Sequence, residues 1–526
     1  MKRTFLVLAA IVPVVLLRAH LGIAEVPATC DAPHALDKYK LLRRLSLDLR
    51  QRIPSVEEYA ALDGVDGVPD ATVQAYLASD EFRATMRRHH ENQLWPNISN
   101  VRLSDISTNL SLRGATALSL AGRENLYRSV RDTTCDDTEQ KDFDPAFPGD
   151  FRPVNVRAAG GERHEGYRMV SPYWAPTTSV KVCAYDAQET LSVTKAGKRV
   201  ACNTPEGRAD RACGCGPNLQ FCYGGNAAAT IESALREQLG RAADKVATGK
   251  APYTDLILAQ DAEQNGPVGF WRKNLAPQGS TGVTFNAPLP GEPLPERDFA
   301  DDTWKPLKRS TLHAGVLTMP AYLLRFQTDR GRANHFRIAF MGQYFVPAAK
   351  LEPQAGCSDD SPDLTKRCNC QYCHQTLEPL SAHFAGFSEA GSAAMNDTAT
   401  FPLRRPECVG STSAYCTRFY VTRDDAPRPG WLLSYQFAGE HPEYVDNIQQ
   451  GPRKLAEAIV ADGTFARAVV KAAFLRLVKR ELRVEGEHAE DLPLLDQLAT
   501  DFAAQSYDYP RLITRIVSLP EYRRVR

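Results

Sequence analysis

The chain lacks a net charge, because its 63 lysine and arginine residues are matched by 63 aspartate and glutamate residues. Nucleic-acid-binding surfaces show in a sequence as a basic excess, so no nucleic-acid partner is expected. The chain also lacks a run of about 18 apolar residues after its first segment, which excludes an internal membrane span. With 43% hydrophobic residues over 526 positions, we expect a globular protein of about two to four domains.

The first residues have the pattern of a secretion signal. Lys2 and Arg3 form a basic start, and residues 5–17 form an apolar stretch that is shorter than the roughly 20 residues a membrane span needs. Small residues follow, and no branched apolar residue stands three positions before Cys30 as a lipoprotein signal would require. We predict a signal peptide over residues 1–24, with cleavage there or as late as residue 28, and a periplasmic or other extracytoplasmic location.

A C-x-x-C-H motif occurs once in the chain, at residues 370–374. Two thiols at this spacing reach the two vinyl groups of one haem, and the histidine that follows lies under the iron. Given 13 cysteines and 11 histidines, roughly 0.007 such motifs are expected by chance. We predict one covalent haem c on Cys370 and Cys373, with His374 as the proximal iron ligand.

Two other uses of this segment remain open at the sequence level. Cys368 and Cys370, together with Cys373 and His374, are also a zinc ligand set. The same cysteines could close a plain disulfide loop. Export favours haem, because thioether attachment of haem takes place outside the cytoplasm.

The remaining cysteines predict disulfides, which export permits. If haem takes two of the 13, an odd number remains, so one thiol is expected to be unpaired or bonded elsewhere. Three close pairs are predicted bridges: Cys357/Cys368, Cys408/Cys416 and Cys183/Cys202. Pairing within the cluster Cys213, Cys215 and Cys222 stays undetermined, because spacing does not fix connectivity.

The pattern along the chain predicts a mainly α protein. Helical periodicity, with Ser55 and Glu58 as a capping pair and Thr464 as a later cap, alternates with a segment rich in Pro, Gly, Thr and Cys. That segment is predicted to be a disulfide-stapled, partly β or irregular insertion. The predicted order is an N-terminal helical module (30–130), the Cys-rich insertion (131–225), a helical module (226–350), a haem c-binding segment (351–425) and a C-terminal helical module (426–526).

Several of these segments resemble the large cytochrome-c-like proteins of planctomycetes and myxobacteria, whose modules are largely of unknown function. Residues 43–49, with Pro54 and Glu58, are similar to an R-R-x-x-L-D-L…P…E signature. Residues 252–256 resemble the start of a second module, residues 315–318 the segment before the haem motif, and residues 516–522 the carboxy-terminal module. Arg337 looks like part of the segment that precedes the haem motif in that family. The 131–225 insertion lies outside the resemblance.

The haem region resembles that family's C-x-x-C-H-x-x-x-D-P-L-G-F-A-L-E-N-F-D-x-x-G pattern. Glu378 stands where the pattern has Asp, and Ser381 replaces its first Gly. The positions that match beyond the C-x-x-C-H motif are Pro379, Leu380, Phe387 and Gly391. The resemblance implies a haem c cofactor more than it implies a reaction.

The sixth ligand of the iron separates the candidate functions. Met395 and Met319 are the distal candidates, and each alone is more often core. His383 has poor geometry, because nine helical residues rise about 13.5 Å away from His374, so it is expected to be partly exposed. His313 and His335 are weaker candidates.

The predicted function is an exported monohaem c-type cytochrome that transfers single electrons to and from a redox partner protein. Its basis is the single attachment motif, without a clear set of acid and base residues beside it. The alternatives are a haem-dependent peroxidase or oxidase, favoured by the length of the chain, and a surface or scaffold protein with a structural haem.

Overall fold

The computed structural model describes residues 35–99, 103–104, 107–112, 125–128, 134–140, 156–157, 163–210, 212–278, 289, 291–345, 355–358, 364–368, 370–387, 391–392, 412, 445–486 and 489–524. The chain is mainly α-helical, with a smaller β region that carries disulfides. The predicted signal peptide, Met395 and the predicted Cys408/Cys416 pair lie outside the described residues.

The α-helices of the described residues are α1 Lys38–Arg50, α2 Val56–Ala60, α3 Asp70–Leu77, α4 Asp80–Leu94, α5 Pro205–Arg208, α6 Ala227–Ala247, α7 Asp255–Leu258, α8 Gly266–Phe270, α9 Pro320–Arg325, α10 Asp329–Met341, α11 Gln371–Ala382, α12 Val445–Ala461, α13 Thr464–Val478, α14 Leu492–Ala504, α15 Tyr509–Val517 and α16 Pro520–Arg523. Short 3₁₀ turns occur at Pro217–Leu219, Ala276–Gln278 and Gly315–Thr318, and a π-helical turn at Trp271–Leu275. Within the described part of the chain, no helix combines the length and apolar character that a membrane crossing requires.

Two predicted helix starts have different outcomes. At α2, Ser55 and Glu58 form the predicted capping box, with the Glu58 N–H donating to Ser55 Oγ (3.2 Å) and the Ser55 N–H donating to Glu58 Oε2 (2.8 Å). At α13, the prediction that Thr464 is the cap is wrong, because Thr464 is already helical. The Oδ1 atom of Asp462 accepts the Thr464 N–H (2.8 Å) and does the capping work instead.

The β region contains a mixed sheet with strand order β1-β2-β6-β5-β3 and with β4 paired to β5. Two further antiparallel pairs are β7 with β8 and β9 with β10. The strands are β1 Leu110–Leu112, β2 Leu126–Arg128, β3 Thr134–Glu139, β4 Val156–Arg157, β5 Arg163–Val170, β6 Val180–Cys183, β7 Ser192–Lys195, β8 Lys198–Ala201, β9 Asp261–Gln264 and β10 Lys305–Lys308. Since β1 and β2 precede residue 131, the β region begins earlier than the sequence predicted.

Disulfides staple this region, as predicted, but the predicted Cys183/Cys202 pairing is wrong. The bridges are Cys135–Cys183, Cys202–Cys213 and Cys215–Cys222. Strands β3 and β6 both pair with β5, which brings the Cα atoms of Cys135 and Cys183 to 5.8 Å. Sequence spacing favoured a short loop between Cys183 and Cys202. The pairing of the strands instead places Cys183 beside Cys135, 48 residues earlier in the chain.

The main hydrophobic core joins the first and last helices of the described chain. Its buried residues come from α1, α3 and α4 and from every helix from α6 to α16. At the two ends, the Leu36 N–H donates to the carbonyl of Arg523 (2.7 Å), and Tyr522 Oη donates to Asp48 Oδ2 (3.1 Å).

The helix that begins within the C-x-x-C-H motif, α11, packs against α10 on one side and α12 on the other. Its end contacts α12 through His383, whose Nδ1 lies 3.1 Å from the carbonyl oxygen of Gly451. Leu377 of α11 is buried in the main core. The start of α11 is thereby held against α10, where the candidate site lies.

Candidate functional site

The candidate site is built on the first turn of α11. Cys370 precedes the helix, and its carbonyl accepts from the backbone N–H of Cys373 (3.2 Å) and of His374 (3.1 Å). Residues three and four positions apart share one face of a helix, so both thiols and the imidazole lie on the same side. Both cysteines are free thiols of intermediate exposure, which leaves them available for covalent attachment.

The neighbouring Cys368 is not part of this set. It forms a disulfide with Cys357, which confirms the predicted pair and removes one thiol from the four-ligand zinc alternative. Among the described residues, one cluster of side chains lies closely enough to share a metal ion: Cys135, Glu165 and Cys183. The two cysteines of this cluster are bonded to each other as a disulfide. Cys370, Cys373 and His374 therefore remain as the donor set of the motif.

A buried carboxylate holds the ring of His374. Nδ1 of His374 hydrogen-bonds to Oε1 of Glu378, one helical turn further along α11, and the Glu378 side chain is only 2% exposed. The same oxygen accepts from Nε of Arg330 on α10 (2.6 Å). Ser381 Oγ donates to the Glu378 carbonyl (2.9 Å) and lies 3.5 Å from Oε2. This arrangement leaves Nε2 of His374 as the atom that can bind a metal.

A second arginine of α10, Arg337, lies beside the motif, and some of its N–H groups have no hydrogen-bond acceptor. Its Nε and Nη2 atoms are buried without a hydrogen-bond acceptor, and its guanidinium lies 3.3 Å from the centroid of the Phe345 ring. Burial lowers the pKa of Arg337, and the neighbouring Cys373 and Tyr372 act against that shift. Buried donors of this kind normally have acceptors, so the unpaired N–H groups of Arg337 are suited to an anionic group.

The residues of the site fit a covalently bound haem. Such a haem needs two free thiols and an imidazole on one face, and Cys370, Cys373 and His374 meet this requirement. Haem also carries two carboxylates, which are acceptors of the kind that Arg337 lacks. The donor set contains only two thiols and one imidazole once Cys368 is bridged, whereas structural zinc sites use four ligands.

Each distal candidate among the described residues already has packing or hydrogen-bond partners of its own. Met319 is 2% exposed and packs in the main core at the start of α9, as expected of a core methionine. His335 stacks on Phe326 with ring centroids 4.0 Å apart, and burial lowers the pKa of His335 to about 4. His313 is buried and hydrogen-bonds through Nδ1 to Thr318.

The expectation that His383 is partly exposed is wrong. Its exposure is 7%, its Nδ1 is directed to Gly451 of α12, and burial lowers its pKa to about 4. His383 directly follows α11 and packs against α12, and this packing covers it. Helical spacing alone shows only that the residue lies at a helix end. His383 is thus a helix-packing residue in the described structure.

Sequence reasoning assigned no role to Glu378 or Arg330. The first could have been found, because Glu378 is four residues after His374 on a predicted helix and so shares its face. Arg330 is 48 residues away from Glu378, and no local pattern pairs it with that carboxylate.

No family model matches the chain, and no curated protein or solved structure matches it. The resemblance to planctomycete and myxobacterial cytochrome-c-like proteins therefore stays a prediction.

Proposed function

We propose that this chain is an exported monohaem c-type cytochrome that passes single electrons through a haem c on Cys370 and Cys373. The observation that carries the proposal is the placement of two free thiols and His374 on one face of α11, with Cys368 bridged to Cys357. A bound haem supplies a reversible one-electron iron couple. The chain holds the porphyrin through its thioethers and presents Nε2 of His374 to the metal.

Four disulfides in the described residues support an extracytoplasmic location. Disulfides persist in oxidising compartments and are rare in the cytosol. This supports the predicted signal peptide over residues 1–24 and a proposed haem attachment outside the cytoplasm. A one-electron carrier also requires a donor and an acceptor, so a redox partner protein is part of the proposal.

Haem staining after denaturation tests the attachment site. We expect the mature chain, expressed with haem-maturation machinery, to keep its haem in a denaturing gel. The Cys370→Ala/Cys373→Ala variant should lose that stain, because no thioether can form. The matched control is Cys357→Ser/Cys368→Ser, which removes two neighbouring thiols and should keep the stain.

Two results would contradict the attachment site. One is a full-strength haem stain in the Cys370→Ala/Cys373→Ala variant. The other is colourless wild-type protein with zinc in elemental analysis, which would establish the metal-site alternative.

Spectra of the same protein separate a carrier from a haem enzyme. A closed six-coordinate iron gives low-spin spectra in both oxidation states and does not take up carbon monoxide. We expect this result for an electron carrier, with Met319 or Met395 as the distal candidates. A high-spin ferric band with rapid ligand uptake would instead support the peroxidase or oxidase alternative.

A further inference from the structure

We infer that Glu378 is a positioning residue that lowers the midpoint potential of the haem through His374, and that Arg330 moderates its effect. The inference rests on the proposed function, because it concerns the proximal ligand of the iron. It adds the direction in which the chain sets its redox potential, which neither the C-x-x-C-H motif nor the fold specifies.

The first step is the tautomer of His374. Glu378 lies one turn along α11, and its carboxylate offers only acceptors, so the hydrogen bond places the proton on Nδ1 of His374. Nε2 then carries the lone pair that an iron ligand needs. A carboxylate on the outer nitrogen also fixes the plane of the ring, as it does in other metal sites.

The second step is the electronic effect on the iron. A carboxylate acceptor makes the imidazole more basic than a neutral carbonyl acceptor does. The Glu378 side chain is also only 2% exposed, so solvent screens the field of its negative charge weakly. Ferric iron carries one positive charge more than ferrous iron. Both effects stabilise the ferric form. The midpoint potential for the one-electron reduction of ferric iron therefore falls.

The third step is the opposing cation. Nε of Arg330 lies 2.6 Å from the same Oε1 atom that accepts from His374. Its side chain is 21% exposed, whereas that of Glu378 is 2% exposed. The Arg330 guanidinium partly neutralises the carboxylate of Glu378 and so reduces the effect of its negative charge on the His374 imidazole. Removal of Arg330 should therefore act in the direction opposite to removal of the Glu378 charge.

Redox titration of the purified haem-loaded protein tests this inference. Glu378→Gln keeps the shape and an acceptor oxygen but removes the charge, so the midpoint potential should rise. We expect the equilibrium constant for reduction by a fixed one-electron donor to increase at least tenfold, or about 59 mV. Arg330→Gln should lower the potential, and Glu378→Asp, which keeps the charge, should recover part of the wild-type value.

The matched control is Glu237→Gln on α6, which removes the carboxylate of another arginine pair at 2.6 Å and should leave the potential unchanged. Opposite shifts in the two site variants would support the inference, because a merely structural role predicts no such reversal of sign. Shifts of one sign, or none beyond the control, would overturn it. If Glu378→Gln does not accumulate haem, Arg330→Gln decides alone: a lowered potential supports the inference, and an unchanged or raised one overturns it. A wild-type chain without covalent haem would instead overturn the proposed function.

Discussion

At the scale of single residues, His90 of α4 shows how burial fixes a protonation state. Its Nδ1 lies 2.8 Å from the Met86 carbonyl oxygen, and its Nε2 lies 2.8 Å from Oη of Tyr253. Because a carbonyl only accepts, the proton is on Nδ1, and Nε2 accepts from the tyrosine hydroxyl. Burial lowers the pKa of His90 to about 4 and raises that of Tyr253, so both groups stay neutral near pH 7.

This pKa shift predicts a loss of stability in mild acid. In the unfolded chain a histidine has a pKa of about 6.5, so between pH 6.5 and 4 the unfolded state binds more protons than the native state. The stability that neutral His90 contributes is therefore present above pH 6.5 and is lost as the pH falls through about 4. We expect roughly 1–2 kcal/mol of this loss between pH 7 and 5.

Urea unfolding at pH 7 and pH 5 measures the effect. The His90→Gln variant should be less stable than the wild type at pH 7. Its free energy of unfolding should, however, fall by roughly 1–2 kcal/mol less than that of the wild type between pH 7 and pH 5. His89 is present in both proteins, but its ring centroid lies 5.2 Å from that of His90, so the comparison measures the loss of His90 together with its effect on His89. Equal pH differences in the two proteins would show that His90 does not titrate on unfolding.

At the scale of elements, Arg332 of α10 ties together the segments around α11. The side chain is fully buried, and Nε donates to the Phe326 carbonyl (2.9 Å) at the end of α9. Nη1 donates to Asp329 (2.7 Å), and Nη2 donates to the carbonyls of Leu323 (3.2 Å) and Gly391 (2.9 Å). One guanidinium thus joins α9, α10 and the segment that follows α11.

Replacing Arg332 should cost far more than replacing an exposed arginine. Arg332→Met removes the cation that contacts these carbonyls and the Asp329 carboxylate, and breaking a buried ion pair in this way costs about 3–5 kcal/mol. The control is Arg236→Met on the exposed face of α6, for which we expect a change within about 0.5 kcal/mol. Thermal and urea unfolding measure both. Similar losses in the two variants would show that the Arg332 contacts contribute little.

Local signals account for the elements that the sequence could predict. The Ser55–Glu58 capping box and the apolar periodicity of α6 involve residues within one or two helical turns. The Cys135–Cys183 bridge depends on the pairing of β3 and β6 with β5, which no spacing encodes. In the candidate site, Cys370, Cys373 and His374 come from one motif, whereas Arg330 reaches it only through the packing of α10 on α11.

At the scale of the whole molecule, helices from the two ends of the described chain share one core. Tyr522 of α16 is fully buried, and its hydroxyl donates to Asp48 Oδ2 at the end of α1 (3.1 Å). The guanidinium of Arg44 lies 4.4 Å from the centroid of the Tyr522 ring, and Arg476 of α13 donates to the Asp48 carbonyl (2.8 Å). Contacts between residues this far apart in sequence make α1 and α16 dependent on each other.

Two substitutions at Tyr522 measure this dependence. Tyr522→Ala removes a buried ring together with its hydrogen bond, and we expect a loss of about 3–5 kcal/mol in the free energy of unfolding. Tyr522→Phe removes only the hydroxyl and should cost about 1 kcal/mol. Because the ring joins α1 to α16 and lies outside the C-x-x-C-H motif, the haem stain proposed for the wild type should be unchanged in both variants. If the alanine variant unfolds no more easily than the phenylalanine variant, the contact between α1 and α16 does not contribute to the stability of the core.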